Sequence, residues 1–156
     1  KYVTDCSVDT DLEIHIPDEY ISNIAERIRL YRQLDSFEKD EQLVEFRIML
    51  IDRFGALPQP TEALLGVVRL RWLAQSLGFE KIILKNQRMI GYFVNNQDSA
   101  YFSSKTFVKI LNFVQKFPNT FKMKESKEKL TLSFDNIKTI DEAYNMLLKM
   151  KTNENE

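Results

Sequence analysis

The stretch Leu43-Val44-Glu45-Phe46-Arg47-Ile48-Met49-Leu50-Ile51-Asp52-Arg53-Phe54-Gly55-Ala56-Leu57-Pro58-Gln59-Pro60 organises this chain. Leu43, Phe46, Leu50 and Phe54 follow the i, i+3, i+7, i+11 spacing that stacks side chains on one face of an α-helix, so that face belongs to a core. Glu45, Met49, Asp52 and Arg53 project to roughly the opposite side. Gly55 suits the left-handed conformation that closes a helix, and Pro58 and Pro60 cannot continue one. The spacing therefore predicts a helix ending at or beside Phe54. By itself the stretch implies a tightly packed domain with one partly polar helix face, and no chemistry.

Working outward, the 156 residues fit one domain that buries about 70% of its unfolded surface. No run is long enough to cross a bilayer, and no signal-like start is visible, so a cytoplasmic location is expected and a membrane partner is not. Cys6 is the single cysteine, which excludes an internal disulfide framework and reads as a free thiol in a loose tail. The net charge of −1 hides an asymmetry: residues 1–62 hold 14 acidic and 7 basic side chains, and residues 80–129 hold 4 and 10. Solvated faces account for this; so does an acidic half that meets a basic partner and a basic half that touches nucleic acid weakly.

Upstream of the central helix, residues 1–10 read as the remnant of a linker. Leu12, Ile14 and Ile16 alternate with Glu13 and His15, which predicts a short strand with His15 pointing outward. Pro17 and Asp18 open a predicted helix carrying Ile21, Ile24, Ile28, Tyr31 and Leu34 at helical spacing, and Asp40 is placed to cap the central helix. The two helices form an antiparallel hairpin in this reading. Downstream, Pro60 starts an apolar helix through Leu64, Val68 and Leu77, ending at Gly78. Lys81–Lys85 and Met89–Val94 then read as strands joined by an Asn86-Gln87 turn, with a third short strand at Ser99–Phe102. Ser103 or Ser104 caps a helix through Phe107, Ile110, Leu111 and Val114. Phe121–Lys124 and Leu130–Phe134 form a second hairpin, Thr139 to Glu142 is a capping box, and the last helix uses Ala143, Tyr144, Leu147 and Leu148. The expected fold is α+β: a helical N-terminal half with one strand, then paired strands and two helices. Residues 11–151 form a single regulatory domain in this reading, and 152–156 a disordered tail.

Catalytic machinery is not evident. Gly55, Gly66, Gly78 and Gly91 are isolated, with no glycine-rich phosphate loop. The single histidine has no companion ligands or nucleophile, so no cofactor, metal or catalytic residue is assigned. The carboxylate pairs Asp40-Glu41 and Asp141-Glu142 stand at helix starts, where negative charge is favoured without any acid–base role. Phe107, Phe113, Phe117 and Phe121 near Lys109, Lys116 and Lys122 suggest base stacking, but their helical spacing makes most of them core.

The run Leu50-Ile51-Asp52-Arg53-Phe54-Gly55-Ala56-Leu57-Pro58, with Leu70-Arg71, Ala74-x-x-Leu77-Gly78, Ile16-Pro17 and Arg27-Ile28-x-x-Tyr31, resembles the C-terminal domain of bacterial transcription-repair coupling factors, the Mfd family. The match runs over about residues 11–80 and beyond them rests on element order alone. The resemblance implies a non-catalytic, autoinhibitory protein-interaction domain of an ATP-dependent DNA translocase that couples transcription to nucleotide excision repair. In the family this domain docks on the UvrB-like N-terminal module of the same polypeptide and masks the surface that recruits UvrA until the motor engages stalled RNA polymerase. DNA is reached through the parent motor. The docking face implied here is Glu45, Met49, Asp52 and Arg53. Asp52 matches a family carboxylate; Met49 stands where relatives carry a second acid, and Glu45 supplies a charge one turn further back. The alternative is a weak nucleic-acid-binding module using the basic segment 80–129.

Overall fold

The periodicities above resolve into an α+β fold in a computed structural model that describes residues 2–127 and 129–152. Two contact units divide the chain: Glu13–Gly66, and Lys1–Leu12 with Val67–Glu156. The first holds helices α1 (Ile24–Asp35) and α2 (Asp40–Phe54) and the start of α3 (Gln59–Leu77). Leu43, Phe46 and Leu50 of α2 are buried as the spacing requires, and Phe54 is half-buried. Gly55 has φ +94° and its N–H donates to the Ile51 carbonyl at 2.9 Å, which ends α2. The Tyr20 hydroxyl donates to the Leu50 and Gly55 carbonyls at 3.1 and 2.7 Å, fixing that terminus. Glu26 in the first turn of α1 reaches Arg53 in the last turn of α2, as the antiparallel arrangement demands.

Three expectations fail in this unit. Residues 12–16 are not a strand. Their backbone groups find partners elsewhere: the His15 N–H donates to the Pro60 carbonyl, the Thr61 hydroxyl donates to the His15 carbonyl, and the Ile16 N–H donates to the Tyr31 hydroxyl. An alternating pattern thus marks an extended segment strapped to helices, with no sheet neighbour. Pro17 starts a turn rather than a helix, since the Tyr20 and Ile21 N–H groups both donate to its carbonyl. The helix begins only after Asn23, whose Oδ1 accepts from the Glu26 N–H at 2.8 Å. That break removes Ile24 and Ile28 from the core face they were assigned, and both are exposed. Asp40 is the first helical residue rather than the cap; the Lys39 and Glu38 N–H groups donate to the Gln42 side chain instead.

The second unit is built on a five-stranded sheet in the order β1-β2-β3-β5-β4, with β1 Ser7–Thr10, β2 Phe79–Lys85, β3 Arg88–Phe93, β4 Lys122–Ser126 and β5 Lys129–Asp135. β1 lies parallel to β2 and every other pairing is antiparallel. Asn86 and Gln87 adopt φ +54° and +60°, the geometry of the tight hairpin turn expected there. One sheet face, with Ile82, Leu84, Met89, Phe93, Leu132 and Phe134, is buried, and α4 (Lys105–Lys116), which contacts α5 (Ile140–Thr152), lies against it. Ring contacts between Phe93 and Phe107 and between Phe134 and Phe121 tie that face to α4 and to the segment that follows it. Gly91 belongs to the same face, where an added Cβ would meet the Phe79 ring at 2.4 Å.

Strand β1 corrects the reading of residues 1–10 as a linker: Val8 sits opposite Ile82, and Val3 and Cys6 are buried. The Arg71 guanidinium donates to the Cys6 carbonyl and the Asp5 carboxylate, so this segment is held by side chains 65 or more positions away. Cys6 is therefore a packed core thiol rather than one in a loose tail. The expected third strand is a 3-10 turn, Ala100–Ser103, capped by Ser99 and anchored by the Tyr101 hydroxyl, which donates to the Leu77 carbonyl. Ser104 then caps α4. Of the expected tail, residues 153–156 lie outside the described residues, and Thr152 closes α5.

Candidate protein-interaction site

Helix α2 is amphipathic twice over. The face carrying Leu43, Phe46 and Leu50 is buried, and on the opposite side Val44, Ile48 and Ile51 recur at i, i+4 and i+7. Ile48 is 61% exposed, and its two neighbours on the ridge are exposed as well. Sequence reasoning missed this ridge, although the signal was present: a helix apolar on both sides either lies wholly inside a protein or turns its second face to a partner. Ile24 and Ile28 of α1, at 65% and 45% exposure, are further apolar side chains on the surface of the same unit.

Beside the ridge runs an acidic border. Glu45 and Asp52 are exposed, as is Glu41 one turn before Glu45, and neither Glu45 nor Asp52 has a hydrogen-bond or ion-pair partner among the described residues. Met49 is half-buried toward the core side. Arg53 is otherwise engaged: its guanidinium lies 3.3 Å from the Glu26 carboxylate and 4.8 Å from the centre of the Phe54 ring. Glu26 also pairs with Arg29. The hydrogen bond from Arg29, reinforced by the charges of Arg29 and Arg53, holds the Glu26 carboxyl below the usual carboxylate range. On the other flank Arg47 makes a two-pronged contact with Glu62 at 3.3 and 2.7 Å, which raises the guanidinium pKa. Of the four residues assigned to docking, the structure thus leaves Glu45 and Asp52 open, sets Met49 at the edge, and ties Arg53 to its own unit.

Elsewhere the candidates resolve structurally. Phe107, Phe113 and Phe121 are buried, and only Phe117 among the four aromatic candidates is exposed. Asp40-Glu41 and Asp141-Glu142 occupy the first turns of α2 and α5. Among the described residues the buried His15 Nδ1 has no hydrogen-bond partner, and Nε2 lies 3.5 Å from Glu13. Among the described residues no group of three or more His, Cys, Asp or Glu side chains is placed to hold a metal ion, and no helix is long and apolar enough to cross a membrane.

Comparison with known proteins identifies the family and the fold. The sequence family described as the TRCF domain matches residues 10–104. The transcription-repair-coupling factor of Escherichia coli (strain K12) is 38% identical over 80 residues, covering 49% of this chain and 7% of that protein. That of Rickettsia typhi is 30% identical over 122 residues, covering 78% of this chain and 10% of that protein. The chain thus spans a tenth or less of the length of these curated relatives. A crystal structure of the C-terminal domain of a transcription-repair coupling factor shares the fold, with a TM-score of 0.72 at 19% identity over 96% of each chain. Family match and fold agree, and the chain belongs to the TRCF-domain family of transcription-repair coupling factors.

Proposed function

We propose that this chain is a non-catalytic docking domain of a cytoplasmic, ATP-dependent DNA translocase that couples transcription to nucleotide excision repair. Its α2 face holds the UvrB-like N-terminal module of the same polypeptide and masks the surface that recruits UvrA; RNA polymerase and DNA are engaged through the parent motor. The observation that carries this reading is the outward side of α2, where an exposed apolar ridge (Val44, Ile48, Ile51) lies beside the open carboxylates of Glu45 and Asp52. Exposed apolar side chains in contiguous array beside uncompensated charge are the composition of an interface core with a polar rim. Asp52 and Glu45 meet basic groups of the partner module in this arrangement, with Met49 packing at the border and Arg53 orienting the end of α2 through Glu26.

Removing one partner of a desolvated charge pair costs about 2–5 kcal/mol, enough to shift a clamp whose two states differ by a few kcal/mol. The test is the double substitution Asp52→Ala with Glu45→Ala. Weakened binding to the N-terminal module with the thermal melt unchanged is expected, together with raised UvrA binding by the full-length parent. Unchanged affinity refutes the assignment of these residues. Deleting residues 11–151 from the parent should raise UvrA binding to at least the same extent; if it does not, the masking role itself falls.

A further inference from the structure

On the second face of the sheet the described side chains are exposed or half-buried, apart from Ser133. Strand alternation and register place Lys81 of β2, Tyr92 of β3, Thr131 of β5 and Lys124 of β4 in one row across this face. Ile90 and Ser133 form the next row with Lys122. Tyr92, Ile90 and Thr131 are half-buried and the lysines exposed. Tyr92 stands between two shallow depressions of about 960 and 230 Å³, lining both. Its ring has the Lys81 and Lys129 ammonium groups 5.9 and 5.8 Å from the centroid.

The charge on this face is one-sided. Arg88 lies 3.6 Å from Asp135, and Lys85 lies 3.2 Å from Asp9 near the β1 edge. Lys81, Lys122, Lys124 and Lys129 have no carboxylate at ion-pair distance among the described residues. Glu125 alternates to the other side of β4, and among the described residues Glu80 is the one carboxylate lining either depression. With adjacent strands about 4.8 Å apart, the lysines of β2 and β4 stand roughly 14 Å from each other across the aromatic centre. We propose that this open face binds single-stranded nucleic acid, with a base against Tyr92 and backbone phosphates on Lys81, Lys122, Lys124 and Lys129. A duplex offers its bases only inside grooves, and this face presents no helix or ribbon to enter one. An acidic peptide would use the lysines and leave the aromatic centre idle. A half-exposed ring on an inner strand, bordered by unpaired cations and by hydroxyl groups, is the arrangement that stacking on a single strand uses. The inference is independent of the α2 docking reading and rests on residues of the other unit.

The test is fluorescence anisotropy of a labelled oligothymidylate of about twelve nucleotides, titrated with the 156-residue chain. Four phosphate contacts predict a log–log salt slope near −3, so affinity falls roughly 50-fold between about 50 and 200 mM salt. Tyr92→Leu should weaken binding about 5- to 100-fold while Tyr92→Phe retains it, and Lys124→Ala should flatten the salt slope. Lys116→Ala, on α4 beneath the covered face, should change nothing. Circular dichroism of each variant checks the fold. No binding in low salt overturns the proposal, as does equal affinity for a duplex of the same length. Equal affinity for polyglutamate, or Tyr92→Leu binding like the parent chain, reduces the face to a general polyanion surface and also overturns it.

Discussion

Ile48→Ser tests the docking face through its apolar half. Ile48 is 61% exposed, and full burial of an isoleucine is worth about 1.5–3 kcal/mol, so covering what remains gives about 1–2 kcal/mol. That is a loss of roughly 5- to 30-fold in affinity when the side chain is removed. Serine and isoleucine have similar helix propensities, and most of Ile48 is exposed, so the domain's own stability should move by no more than about 1 kcal/mol. Calorimetric titration against the N-terminal module measures the first quantity and a thermal melt the second. Ile48→Leu should bind nearly as the parent chain does. Val108→Ser, an equally simple loss of an exposed apolar side chain on α4, should leave binding unchanged. If Ile48→Ser binds with unaltered affinity, the ridge is not part of the interface and the reasoning fails.

Gly78→Ala forces a residue with φ +98° to carry a Cβ that would lie 2.2 Å from the Tyr101 ring; left-handed strain and overpacking together cost about 2–5 kcal/mol. The melting midpoint should fall by roughly 5–20 °C, whereas Gly55→Ala, with φ +94° and no atom within 4 Å, should cost only about 1–2 kcal/mol. The Cys6 thiol is pushed up to about 12, first by burial and then by the Asp5 carboxylate, so alkylation by iodoacetamide at neutral pH should be slow in the native chain and fast in urea. Because its folded pKa is raised from 9.0 to about 12, the stability it contributes is complete below pH 9 and lost as pH rises toward 12. Burial raises the Tyr101 phenol too, so denaturant midpoints should drop on the alkaline side. The Arg47–Glu62 pair is about half exposed on both sides, and a double-mutant cycle should return less than about 1 kcal/mol.

The central helix, its glycine stop, the helix after the proline turn and both hairpins were legible in the sequence, because each carries its own period and its own terminator. Residues 12–16 were misread because alternation reports an extended backbone and is silent about what the backbone bonds to. Residues 1–10 look like a linker because β1 is an edge strand of four residues with one side to solvent, and its partner lies far along the chain. The break at residues 21–23 could not be seen in the spacing of isoleucines, which carries across it without interruption. The carboxylates of the proposed docking face were assigned through family resemblance. The apolar ridge beside them was present in the helical spacing and was overlooked because the buried stripe had already accounted for the helix.

The parallel pairing of β1 has a consequence for how the chain assembles. Ser7 meets Lys81 and Thr10 meets Leu84, so the strand must close a loop of roughly seventy residues before it gains any hydrogen bond, while β2–β3 and β4–β5 are joined by short turns. Loop closure therefore predicts that β1 joins the sheet last. The family match begins at residue 10, and a chain trimmed to that limit would bare the β2 edge from Lys81 to Leu84, a row of unpaired amides and carbonyls able to recruit another molecule's strand.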